Sequence, residues 1–155
     1  MHLSVETMWR EFMALGVLPA DRERAISHWH FCDNRQDADA CARLVVSGRK
    51  RATAPSLWSL QSRGEALPRI GDLHVVTDWA GKAQCIIRIT DVEVLPLHGI
   101  SEEHARAEGE GDGSLAWWYD AHWAYYHREL EGSGYQPRPD MPIVFERFEC
   151  VYSVA

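Results

Sequence analysis

Lys50 and Thr53 stand three residues apart in SGRKRATA, positions 47 to 54. Across a helix end and a turn, that spacing lets an amine and a hydroxyl point to one cleft. A neutral amine takes a hydroxyl proton, and the hydroxyl then attacks an electrophile. Burial and the flanking Arg49 and Arg51 favour the loss of charge this requires, whereas a nearby carboxylate opposes it. The competing reading is structural, because cations past a helix C-terminus suit the helix dipole and a Thr opening a strand is ordinary β-propensity.

A second set lies in EEHARAEGEGDGS, 102 to 114. Glu108 suits a general acid or base, and Glu108, Glu110 and Asp112 together could hold a divalent cation through oxygen ligands. The spacing is not that of an EF-hand, and the acidic side chains argue against a phosphate-cradling loop. A solvated loop is the plain alternative. His28 and His30 alternate on a short extended run as metal ligands can, but no CxxC or HExxH accompanies them. Trp117, Trp118, Trp123, Tyr125 and Tyr126 offer rings for stacking a base, most of which one helix must bury.

The elements that must position these groups follow from periodicity. Ser4 is the expected N-cap of a first helix, with Val5, Met8, Trp9, Phe12 and Leu15 at helical spacing up to Gly16. ISHWHFC, 26 to 32, reads as a short strand. Asp37 is the expected cap of a second helix carrying Ala38, Cys41, Leu44 and Val45, with Gly48 at its left-handed end. Strands are expected over Thr53 to Leu60, Leu73 to Thr77 and Gln84 to Leu95, the last two as a hairpin. Ser101 opens a short helix to Glu108, and the glycines at 109, 111 and 113 break it. Ser114 caps a longer one whose shared face holds Leu115, Trp118, His122 and Tyr125. IVFERFECVY closes the chain as a strand. Helices, then strands, a helical insertion and a final strand define an α+β domain with a mixed or antiparallel sheet. Periodicity alone leaves a barrel and an open sheet both standing.

The chain has 155 residues, 46% hydrophobic and 25% charged, the composition of one ordinary globular domain. Its net charge of −7 disfavours a long DNA duplex bound by charge alone, and leaves room for local contact with a short strand or a nucleotide. Cysteines at 32, 41, 85 and 150 include no CxxC, and no secretory signal pattern opens the chain. Reduced thiols and a cytoplasmic location are the expectation, and no apolar run is long enough for a bilayer span.

SGRKRAT resembles the G-x-K-x-x-T signature of ASCH domains, here Gly48, Lys50 and Thr53. The similarity extends to PRIGD (68 to 72), EEHARAEGEGDGSLAWWYDAHWAYY (102 to 126) and DMPIVFERFECVY (140 to 152), and is nearest the longer bacterial subgroup. The resemblance implies a PUA-like β-barrel flanked by helices. One ASCH domain would span 1–155, with a helical extension over 1–25 and the barrel with its helical insertion over 26–155. Small members of the family are amidohydrolases of acylated cytidines that use a lysine, a threonine and a glutamate, and a longer member is described as a ribonuclease.

Carried onto this chain, those catalytic roles fall on Lys50, Thr53 and, more loosely, Glu108. Arg49 and Arg51 would flank the substrate, with Trp118 as a stacking ring. Ala54, Pro55, Ser56, Leu57 and Trp58 follow the threonine where the small amidohydrolases have polar residues including an arginine. Ser56 and Trp58 would therefore form a different substrate-binding wall. No cofactor is required, although Glu110 and Asp112 are candidate ligands of a divalent cation. The expected partner is single-stranded RNA, a nucleotide or a modified nucleoside. Hydrolysis and non-catalytic RNA binding are the competing functions.

Overall fold

Val5, Met8 and Phe12 recur at helical spacing and are all buried, so one face of helix α1 (Leu3–Ala14) makes core. A computed structural model describes residues 1–17 and 25–154. The latter part of the expected 1–25 extension, residues 18–24, lies outside the described residues. Contacts divide the chain into two compact units that interleave in sequence: Met1–Arg49, Gly71–Arg88 and Glu149–Ala155 in the first, Lys50–Ile70 and Ile89–Phe148 in the second.

In the first unit, α1 packs on Leu73, Val75, Ala83 and Ile86. Its cap is His2, whose ring nitrogen accepts from Ser4 N, and not Ser4, whose hydroxyl accepts from Ala83 N. The second helix, α2 (Arg35–Val46), is likewise capped by Asn34 and not by Asp37, whose own N–H donates to the Asn34 side chain at 2.9 Å. An asparagine in extended conformation satisfies that orphan donor as well as an aspartate does.

The end of α2 is as expected. Gly48 takes φ +81, its N–H reaches Val45 O, and Arg49 N–H reaches Leu44 O. This is the paired bonding of a Schellman stop, which needs a residue that tolerates the left-handed region.

Strands β1 (His28–Trp29) and β3 (Leu73–Thr77) pair in parallel, and β3 pairs antiparallel with the first part of β4 (Ala83–Pro96), Leu73 opposite Arg88. The hairpin is thus present, while the 26–32 run contributes only two strand residues.

The second unit opens with β2 (Ala52–Thr53), antiparallel to β5 (Pro142–Ser153) with Ala52 opposite Arg147 and Thr53 opposite Glu146. The strand expected over Thr53 to Leu60 stops after Thr53, because Ser56 caps a helix, α3 (Leu57–Ser62), by accepting from Ser59 N at 3.1 Å. Helices α4 (Glu102–Glu108) and α5 (Leu115–Glu129) begin at the expected caps Ser101 and Ser114. Their core joins Ala52, Ala54, Ala105, Ala107, Trp118, Tyr126, Ile143 and Phe145.

The five strands pair in the order β1-β3-β4-β5-β2, with both parallel and antiparallel neighbours, and the sheet is open. The mixed-sheet α+β expectation holds in this open form. Among the described residues no helix is long and apolar enough to cross a membrane.

Ser114→Ala removes the acceptor that holds Trp117 N at 3.1 Å at the head of α5. The substitution should cost about 1 kcal/mol in urea denaturation.

Candidate functional site

The three consecutive cations separate by exposure: Arg49 and Arg51 are exposed, whereas Lys50 is 2% exposed. Two backbone bonds hold the chain here. Arg51 N donates to Ala107 O at 2.8 Å, and Phe148 N donates to Arg51 O at 3.0 Å. The first supplies a partner to one of the last carbonyls of α4, which a helix end otherwise leaves unpaired. It also brings the start of β2 against the end of the helix that carries Glu108.

Lys50 Nζ donates to Ala52 O at 2.9 Å and lies 3.4 Å from Glu110 Oε2 and 3.9 Å from Glu108 Oε1. This is the geometry of an ammonium among acceptors. Glu108 is the last residue of α4, 1% exposed, and Gly109 follows it at φ +65. A carboxylate buried at the negative end of a helix is unfavourable by itself, so it depends on donors from elsewhere.

Those donors come from α5. Trp118 Nε1 donates to Glu108 Oε2 at 2.5 Å, and His122 Nε2 lies 2.8 Å from the same oxygen. His122 Nδ1 is 2.9 Å from Trp118 O, a carbonyl that can only accept, so Nδ1 carries a proton. The Nε2 contact with Glu108 therefore also needs a proton, and the two residues share it as an imidazolium-carboxylate pair. Residues 118 and 122 are one turn apart, and their rings stack at 3.9 Å with an 11° tilt, which fixes the imidazole plane.

The electrostatics agree with the geometry. Burial pushes the Glu108 carboxyl up, but the charges of Lys50 and His122, with the His122 and Trp118 hydrogen bonds, bring it down to about 2. Burial pulls His122 down, and the charge and hydrogen bond of Glu108, then Glu110 and the Trp118 carbonyl, leave it raised. The Glu108 contribution to stability is whole above its ordinary 4.5 and is lost as pH falls toward 2. The His122 contribution is whole below its ordinary 6.5 and is lost as pH rises through the raised folded value. Stability from this pair should therefore be greatest between pH 4.5 and 6.5. Urea midpoints from pH 2 to 9 check this: the wild type minus His122→Gln difference should peak in that window, and a flat difference would contradict it.

Thr53 is half-buried in β2, and among the described residues it forms no hydrogen bond with Lys50, Glu108 or His122. Tyr126, fully buried, donates to Ala54 O at 2.6 Å and pins the backbone just after it. Ser56 is fully buried as the cap of α3, and its N–H donates to Glu129 at 3.3 Å. Trp58 is half-buried, stacked on Tyr135 at 5.0 Å with the Arg138 guanidinium 5.2 Å from its ring centre. Trp118 is 1% exposed and sits behind Glu108 as its donor.

Asp112 is exposed and accepts from Ser114 N at 2.8 Å, while Glu110 joins the buried set. Glu108, Glu110 and His122 place their ligand atoms within 4.8 Å of one another. Lys50 occupies the neighbourhood of both of those carboxylates. His28 and His30 gather no such set among the described residues.

His122 is the member that sequence reasoning left out of the site. Its signal was its place one turn after Trp118, opposite an acidic loop.

The model of the ASCH domain matches residues 27–152. The ASCH domain from Lactobacillus crispatus JV V101 is similar in structure, with a TM-score of 0.89, 35% identity, and coverage of 98% of this chain and 96% of that one. A protein from Enterococcus faecalis V583 is similar at a TM-score of 0.88 and 34% identity, covering 99% of this chain and 91% of its own. No curated protein matches. The architecture is of the PUA-like class, a fold associated with RNA binding. Within that class, the chain belongs to the ASCH domain family.

Proposed function

We propose that the protein is a hydrolase of acylated nucleosides that cleaves an amide bond at the Lys50–Glu108–His122 site. The observation that carries this reading is a buried ammonium within 3.9 Å of a carboxylate that shares a proton with an imidazole. Lys50 supports the oxygen charge that develops at the acyl carbon. It fits that role better than the role of base, because it already lies against two carboxylates. Thr53, assigned through the family resemblance, supplies the attacking hydroxyl; the Glu108–His122 pair gives its shared proton to the leaving amine and takes up the Thr53 proton, and water then releases the acyl group from Thr53 as a carboxylic acid.

Charge favours a nucleoside-sized substrate over a longer strand. Lys50 and His122 balance Glu108 and Glu110, and a site without net positive charge in a chain of net charge −7 suits a neutral amide better than a polyanion. A second reading, an RNA or nucleotide reader without turnover, draws support from the Trp58–Tyr135 stack. Tyr135 is 48% exposed and the Arg138 guanidinium lies against the Trp58 ring, a platform suited to a base and its phosphate.

The test is a mass-spectrometric screen of wild type and Glu108→Gln against acylated nucleosides and short single-stranded RNAs, with and without a divalent cation. Loss of the acyl group by wild type alone supports the proposal. Shortened RNA replaces it with ribonuclease activity. Salt-sensitive retention without turnover replaces it with the reader.

A further inference from the structure

We propose that Cys32 and Cys41 form a reversible intrachain disulfide when the protein meets a hydroperoxide. The two Sγ atoms are 3.7 Å apart, already in contact, with both residues in the first unit. Cys41 is 3% exposed on α2, while Cys32 is half-buried in the segment that enters that helix, so Cys32 is the more accessible residue of the two. The backbone at Cys32 adds a second observation. Its φ is +60, the one positive value at a non-glycine residue among the described residues, and L-residues avoid this region. The unusual conformation is kept at the residue whose thiol meets Cys41.

The chemistry balances with the hydroperoxide as oxidant. The Cys32 thiolate attacks the peroxide oxygen, the O–O bond breaks, and a sulfenic acid forms as an alcohol or water leaves. The Cys41 sulfur then attacks the sulfenic sulfur, the S–S bond forms, and water departs with the second thiol proton. Two thiols are oxidised and one peroxide is reduced. The bond needs the sulfurs to close to about 2.05 Å, which side-chain rotation from contact distance supplies. The resulting loop contains Asn34, the cap of α2. This inference is independent of the hydrolase reading.

Cys150 is the internal competitor. It is exposed, and its hydrogen bond with Cys85 brings its thiol down to about 7. The experiment therefore follows all four cysteines. Purified full-length protein is treated with hydrogen peroxide, quenched with catalase, unfolded in urea, alkylated with iodoacetamide and, after dilution, digested with trypsin without reduction. Cys32 falls in peptide 25–35, Cys41 in 36–43, Cys85 in 83–88 and Cys150 in 148–155. The expected product is peptide 25–35 joined to 36–43, two hydrogens lighter than the pair, lost on dithiothreitol treatment. It should be absent from Cys32→Ser, in which Cys41 stays alkylatable. Alkyl groups on both Cys32 and Cys41 at a dose that has oxidised Cys150 would overturn the proposal, as would a cross-link from either cysteine to a different partner.

Discussion

Lys50→Met should lower the free energy of unfolding by roughly 3 to 5 kcal/mol, the cost of removing one partner from a buried ion pair. Methionine keeps most of the aliphatic volume, so the loss is chiefly electrostatic. Glu108 at 1% exposure cannot regain water, and Ala52 O loses the donor 2.9 Å away. The low end of the range applies if His122, 2.8 Å from Glu108, still neutralises it. Adding Glu108→Gln to the same chain should recover part of the loss, because the orphaned charge goes with it. Urea denaturation at pH 6 gives the cycle. Equal stability of wild type and Lys50→Met would mean that water reaches this network freely and that it is not a buried pair.

Glu108→Gln should lower turnover of the acylated nucleoside by about 10² to 10⁴-fold, the usual contribution of a positioned proton-transfer group. The glutamine oxygen can still accept from Trp118 and His122, so the fold should persist in a thermal melt and the loss should fall on kcat. The pH profile separates roles. If Glu108 holds His122 in its protonated form, the variant should lose activity on the alkaline side at a lower pH than wild type. Unchanged kcat with an unchanged profile would remove the proton relay from the mechanism and leave Lys50 with charge stabilisation alone.

The placement of several residues of this candidate site was legible because they are punctuated by strong local signals. Gly48 stops α2 in a left-handed conformation that other residues tolerate poorly, and Ser101 and Ser114 open α4 and α5 at the caps their side chains suggest. Once those ends are placed, Lys50 and Glu108 both fall at element boundaries, where side chains of different elements meet. The remainder was hidden by competition between equally good local solutions. Asn34 outcompeted Asp37 for one cap, and Ser56 turned an apolar run that suits a strand into α3. His122 could be read on α5, but its protonation comes from two partners. One is a carbonyl in its own helix, and the other is a carboxylate from α4, a pairing that periodicity does not register. Asp112 shows the reverse: a carboxylate in the right loop is spent on Ser114 N, and Glu110, two residues earlier, meets the lysine.

The carbonyl that receives the Lys50 ammonium belongs to Ala52, and Ala52 is held opposite Arg147 by the β2–β5 pairing. That contact joins early and late parts of the polypeptide, the kind of distant closure that forms slowly. During synthesis, residues 35 to 53 leave the ribosome long before residue 147, so the Ala52 carbonyl emerges without the strand that later fixes it. A chain cut short before β5 would retain Lys50, Thr53, Glu108 and His122 in its sequence and still lack the strand that holds the lysine's anchor in place. Assembly of the candidate site therefore waits on β5.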